Sequence, residues 1–226
     1  MCGRYSLIAD IQELARQFEF DGTGFVNEPR YNVAPTQSVL TVTNREGRRG
    51  EFMRWGLIPS WARDASIGNR MINARGETVA EKPSFRNALQ RRRCLVLADG
   101  FYEWQKVGKA KRPMRILLKS REPFAFAGLW ESWRNPEGET VRSCTIVTTQ
   151  ANEVLRPIHE RMPVILPREM EEFWLDGDVT DSAALTDVLL SYPDESMEAY
   201  EVSSLVNKAT NNGPDLIVPA VQGLFG

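Results

Sequence analysis

Helical spacing of apolar residues is confined to a few stretches of this chain. Short apolar runs broken by turn residues fill most of the rest. Asp10-Ile11-Gln12-Glu13 opens the clearest helical stretch. Asp10 can cap a first turn, Glu13 sits three residues on, and Ile11, Leu14, Ala15 and Phe18 fall on one face, which predicts a helix to about residue 20. A glycine-containing loop follows at 21–24. Runs 39–43 and 51–57 read as strands joined as a hairpin through 44–50, and 93–98, 114–119, 124–130, 143–149 and 162–166 read as further strands. Residues 151–156 fit one or two helical turns. Residues 167–175 fit a helix with Pro167 near its start and acids in its first turns, and 182–190 fit another; 200–203 fits a last strand. This order predicts an α+β fold, a largely antiparallel curved or barrel-like sheet core flanked by helices. No linker or repeat divides the chain, so one domain over 1–226 is expected.

Composition narrows the class. With 226 residues and a hydrophobic share of 42%, the chain can bury a sizeable core. No apolar run is long enough to span a bilayer and no secretory signal opens the chain, so a cytoplasmic protein without a membrane partner is expected. Cys2, Cys94 and Cys144 are too few and too far apart for a disulfide framework or a zinc site; Cys94 and Cys144 sit in strand-like runs and read as core thiols. No metal and no cofactor are expected. Charge is segregated. Residues 1–150 carry 24 Lys and Arg against 16 Asp and Glu, residues 151–226 carry 4 against 14, and the resulting +8 and −10 give the overall −2. A basic first two-thirds suits a polyanionic partner, although the two segments can equally face each other within one fold.

Several residues can carry chemistry. Removal of Met1 leaves Cys2 with an α-amine and a thiol on adjacent carbons. An α-amine titrates at about pH 7.7–8.0, so much of it is unprotonated and able to attack an aldehyde. The thiol can then close a five-membered thiazolidine. His159, the only histidine, lies in a polar stretch between Pro157 and Pro163, where loops position reactive groups. Glu103 lies between Tyr102 and Trp104; alternation points it away from both, toward either solvent or a site. Burial there would raise its pKa and suit it to acid–base work. Ile72-Asn73-Ala74-Arg75-Gly76-Glu77-Thr78 holds an orienting amide and a guanidinium able to clamp phosphate, in a pattern that also fits a solvated loop. Trp55 and Trp61 interleave with arginines, as in grooves for single-stranded nucleic acid; Trp55 reads as core and Trp61, after a Pro-Ser turn, as exposed.

These segments resemble the SRAP family (SOS-response-associated peptidase, the abasic-site-processing proteins), of bacterial or phage type, over nearly the whole chain. The matching blocks are Met1-Cys2-Gly3-Arg4, Tyr31-Asn32-Val33-Ala34-Pro35, Arg54-Trp55-Gly56-Leu57-Ile58-Pro59, residues 72–78, Ala98-Asp99-Gly100-Phe101-Tyr102-Glu103-Trp104, Thr148-Thr149-Gln150-Ala151-Asn152 and His159-Glu160-Arg161-Met162-Pro163. Val206-Asn207-Lys208 and Asn211-Asn212 belong to the same likeness. Gln105 departs from it, where a basic residue is expected.

The resemblance implies covalent capture of abasic sites in single-stranded DNA by a processed Cys2, with single-strand/double-strand junctions among the sites it can meet; a monomer is expected. It assigns catalytic roles to Cys2, Asn73, Glu103 and His159. It places Arg4, Arg75 and Arg161 on the DNA, Trp61 as a stacking or wedging group, and Asn32 and Pro35 along the pocket. Two other activities fit the same residues: a peptidase using Cys2 and His159, which the family name and Met1 removal keep open, and a non-catalytic module for single-stranded DNA.

Overall fold

The computed structural model describes residues 2–26, 28–44 and 47–220 of the chain. Its strands are β1 (Tyr5–Leu7), β2 (Arg30–Val33), β3 (Ser38–Asn44), β4 (Arg48–Trp55), β5 (Asn73–Arg75), β6 (Arg93–Ala98), β7 (Gly100–Val107), β8 (Ala110–Leu118), β9 (Phe124–Arg134), β10 (Thr140–Gln150), β11 (Arg161–Pro163), β12 (Ile165–Leu166) and β13 (Met197–Glu201). The helices are α1 (Ile11–Gln17), α2 (Arg86–Arg91), α3 (Arg168–Leu175) and α4 (Ser182–Asp187). The fold is α+β, as expected.

Five strands close on themselves as a barrel. β3 pairs with β4 and β6, β6 with β9, β9 with β10, and β10 returns to β4. All of these pairings are antiparallel except β10–β4. Closure leaves no unpaired edge within the ring. A second, wholly antiparallel sheet runs in the order β13-β8-β7-β1-β2. Aromatic contacts join the two: Tyr5 packs on Trp55 with ring centroids 5.3 Å apart, and Phe101 on Phe126 at 6.0 Å.

The chain crosses from barrel to second sheet at Asp99, between β6 and β7. Asp99 is buried, and its carboxylate accepts hydrogen bonds from Ser6 Oγ at 2.7 Å and from the backbone N–H groups of Ile8 and Ala9. Arg115 on β8 neutralises it across 3.4 Å. A side chain at position 100 would meet Arg115 Nε at 2.9 Å, so Gly100 leaves room for that ion pair. The corner fixes β1 against β7, and β1 leads directly to Cys2.

β10 changes partners along its length. Its first part pairs with β9 and β4; beyond Cys144 the β4 side is taken over by β5, and beyond Ile146 the β9 side is taken over by β11. Val164 makes the second exchange: its N–H donates to Val147 O and its carbonyl accepts from Ala127 N, each at 2.9 Å. The single strand expected over 162–166 is therefore two short ones, β11 and β12, broken at Val164.

Other boundaries differ for local reasons. Helix α1, capped by Asp10, ends at Gln17 rather than near residue 20, because Glu19 adopts φ +56°. Helix α4 stops at Asp187, short of residue 190, and 151–156 forms turns. The 44–50 hairpin has the expected antiparallel register, Asn44 opposite Arg48, although Arg45 and Glu46 lie outside the described residues. Cys94 and Cys144 are buried thiols.

Gly56 leaves β4 at φ +128°, and a Cβ there would lie 2.6 Å from the Gly68 carbonyl oxygen. Gly56→Ala is expected to cost about 2–4 kcal/mol of unfolding free energy, read by denaturant titration. Burial pushes the Glu171 carboxyl on α3 up to about 7, against the pull of Arg48 and Arg168. A pKa raised on folding means stability present at low pH and lost as pH rises through about 7. Glu171→Gln should therefore melt at the wild-type temperature near pH 4 and above it near pH 8.5, the difference opening as pH rises from about 4.5 to about 7.

Candidate functional site

The segment before β1 continues the β1–β7 ladder. Tyr5 lies opposite Phe101, and Tyr102 N–H donates to Arg4 O at 2.9 Å. Cys2, two residues further back, is completely buried within the main apolar core. Its Sγ lies 4.0 Å from Arg4 O. Burial, and then the neighbouring Glu103 carboxylate, push the thiol pKa well above its ordinary value. Met1 lies outside the described residues.

Glu103 on β7 is only 3% exposed. Tyr102 and Trp104 pack into a small cluster with Val202, Val206 and Leu216, whereas Phe101 enters the main core. Alternation then turns Glu103 to the face that holds Cys2. Burial raises the Glu103 pKa, and the charge of nearby His159 pulls it partly back. His159 is half-buried, and its Nδ1 lies 3.0 Å from the Arg161 backbone nitrogen and 3.2 Å from the Arg161 carbonyl oxygen. Gln105 Nε2 ties the strand carrying Glu103 to the His159 loop by donating to Pro157 O at 3.2 Å. Cys2, Glu103 and His159 thus form one electrostatically coupled group.

Asn73 and Arg75 arrive on the other side of β10. β5 pairs with β10 in parallel, Asn73 opposite Ile146 and Arg75 opposite Thr148, while β11 places Arg161 opposite Gln150. Trp55, buried as expected, holds the approach by donating from Nε1 to Ile72 O at 2.9 Å. Both polar atoms of the Asn73 amide are buried and make no hydrogen bond with a described residue. An amide left in that state costs free energy unless a ligand uses it. Arg75 is exposed at a cleft of about 410 Å³ shared with Gln150, Arg156, Glu160 and Arg161. A second cleft of about 360 Å³, lined by Trp104, Lys106, His159 and again Arg156 and Glu160, adjoins it.

The other expected DNA contacts are more deeply engaged within the fold. Arg161 lines the first cleft but is only 9% exposed, and its two terminal nitrogens form a bidentate pair with Glu77 while one also donates to Thr148 O at 2.7 Å. Those hydrogen bonds hold the Glu77 carboxyl below its usual range. Arg161 therefore anchors β11 to β10 before it does anything else. Asn32 does not line an open pocket: it is buried, with its amide bonded to Arg4 and to three backbone carbonyls. Arg4 spends one nitrogen on Asn32 Oδ1 and Val206 O, each at 2.8 Å. Pro35 is half-buried in the turn before β3. Trp61 is 60% exposed at the mouth of a separate cleft of about 620 Å³ with Arg63, Arg70 and Met71.

Sequence reading missed Asp99 and Arg115, Glu77 as the partner of Arg161, and Arg156 as the residue joining the two clefts. Only the Asp-Gly pair at 99–100 carried a local signal. Among the described residues, no three His, Cys, Asp or Glu side chains gather as a metal site requires, and no helix is long and apolar enough to cross a membrane.

Abasic site processing protein YoqW of Bacillus subtilis is 51% identical over 224 residues, covering 96% of this chain and 99% of that protein. Abasic site processing protein HMCES of Xenopus tropicalis is 35% identical over 234 residues, covering 89% of this chain and 69% of that protein. A crystal structure of a Bacteroides thetaiotaomicron protein superposes with a TM-score of 0.90 at 28% identity, covering 97% of this chain and all of that one. The family described as SOS response associated peptidase (SRAP) matches residues 1–209, and the chain belongs to it.

Proposed function

We propose that this protein processes abasic sites in single-stranded DNA by trapping the ring-opened sugar on Cys2. The observation that carries the reading is the coupled group itself: a cysteine one residue from the chain start, buried beside a desolvated carboxyl, which in turn faces a histidine at the head of an arginine-lined cleft. The names of the relatives supply the substrate class.

Once Met1 is removed, the Cys2 amine attacks the C1′ aldehyde. Glu103, whose pKa burial raises, supplies a proton as the carbonyl oxygen leaves as water and a protonated imine forms. Asn73, with its buried and unused amide, orients the amine or the sugar hydroxyl. Burial keeps the thiol protonated, so as sulfur adds to the carbon of the protonated imine its proton passes to the Glu103 carboxylate left by the first step, and the thiazolidine closes with Glu103 protonated again. Closure removes the imine that β-elimination needs, and so protects the strand. Arg75, Arg156 and Lys106 offer cations to the flanking phosphates.

A single abasic site in a labelled single-stranded oligonucleotide tests the reading on a denaturing gel. Wild-type protein should give a heat-stable shifted band, and Cys2→Ala none. Cys2→Ser can form the imine but closes only a poorer oxazolidine, so strand-cleavage products should rise. Cleavage of unrelated peptides without any covalent band would sink the proposal in favour of a peptidase. Salt-sensitive binding without that band would leave a passive binding module.

Glu103→Gln should slow capture by about 100-fold or more. The raised carboxyl of Glu103 acts as the acid, so wild-type rate should be retained below its pKa and lost as pH rises through it. The variant should lack that limb in a single-turnover pH profile.

A further inference from the structure

The closing block of the sequence, residues 206–212, takes no part in the chemistry above, yet four residues reach for it. Asn32 Nδ2 donates to the carbonyls of Val206 at 3.2 Å, Lys208 at 3.1 Å and Asn211 at 2.9 Å. Arg4 Nη1 donates to Val206 O at 2.8 Å, and Trp104 Nε1 to Asn207 Oδ1 at 2.6 Å. The Tyr31 N–H donates to Asn212 Oδ1 at 2.7 Å. Val206 is fully buried beneath, against Tyr102. The Arg4 guanidinium lies over the Trp104 ring, 5.9 Å from its centroid.

Two of these contacts, those of Arg4 and Trp104, come from residues next to the capturing group. Arg4 is two residues from Cys2, and Trp104 follows Glu103 and lines the cleft with His159. A chain start frays unless it is tied down. Burial and the bond from Tyr102 N–H to Arg4 O hold the backbone there, and the Arg4 bonds to Asn32 and Val206 O add side-chain ties. Asn32 accepts from Arg4 through Oδ1 while donating to the closing segment through Nδ2, and only an amide of this size does both.

We propose that residues 206–212 form a clasp that fixes the strand carrying Cys2, and that Asn32 and Asn207 are positioning residues for covalent capture, acting through Arg4 and Trp104. This rests on the reading of Cys2 as the capturing group. Asn32→Asp keeps the acceptor for Arg4 but sets a carboxylate against three carbonyls, which opens the clasp. Asn207→Asp keeps the acceptor for the Trp104 indole, whereas Asn207→Leu removes it.

Single-turnover capture across a range of DNA concentrations measures the effect. Asn32→Asp and Asn207→Leu should lose about tenfold or more of the maximal rate with half-saturation held within about twofold, while Asn207→Asp keeps the wild-type rate. A wild-type rate in Asn32→Asp, or a rate loss matched by an equal loss of affinity, overturns the clasp. Amide hydrogen exchange gives a readout independent of capture. In Asn32→Asp, Gly3–Tyr5 and Tyr102 should exchange faster with β9 unchanged, and unaltered exchange at those amides also overturns the clasp. If wild-type protein forms no covalent band, the capture reading fails and exchange alone decides whether the clasp exists. Should Asn32→Asp lose protection in β9 as well, the barrel itself has come apart and the Asn207 pair decides.

Discussion

Eleven residues of β10 span more than the barrel can pair. The strand closes the ring through β9 and β4, then runs on past both. A strand that outruns its neighbours must bond its remaining backbone groups to something. Here the overhang recruits β5 on one side and β11 on the other, three residues each. Those six residues include Asn73, Arg75 and Arg161, with His159 two positions ahead of Arg161. The site is thus assembled on hydrogen bonds left over from barrel closure.

The other half of the site comes from the second sheet, and its electrostatics follow from where that sheet meets the barrel. Asp99 gathers the start of the chain around a buried ion pair with Arg115. A pair of this kind is expensive to desolvate and holds only because nearly every remaining bond is made. Its return is placement: β1 is pinned, and the residues before it run into the core beside Glu103. Desolvation then acts on the acid and the thiol in the same direction, favouring the protonated form of each. The cations lie outside, in the cleft, where they remain available to a polyanion.

Much of this was legible in the residues. Alternation around Glu103 foretold that Tyr102 and Trp104 would face away from it, and the Pro-Ser turn foretold an exposed Trp61 beside a buried Trp55. Most of the long strands announced themselves through runs of apolar and β-branched residues, although β7, with its polar second half, did not. β1, β2, β5 and α2 did not either, because elements of three to six residues are too short for periodicity to register; they exist because a neighbour offers bonds. Pairing was equally silent. Arg115 meets Asp99 only through the register of the β7–β8 hairpin, and Asn32 meets Val206 across 174 positions of sequence. Hence Arg161 and Asn32 read as surface contacts, although Glu77 and the closing segment had already claimed them.

Burial of Cys2 has a consequence for how the protein persists between encounters. A sulfur with no accessible surface, kept as the thiol, is a slow partner for peroxide or electrophiles of the surrounding solution, since these react with exposed thiolate. The chain therefore carries the Cys2 thiol in a passivated form. It is long shelf life, rather than high intrinsic nucleophilicity, that the core provides.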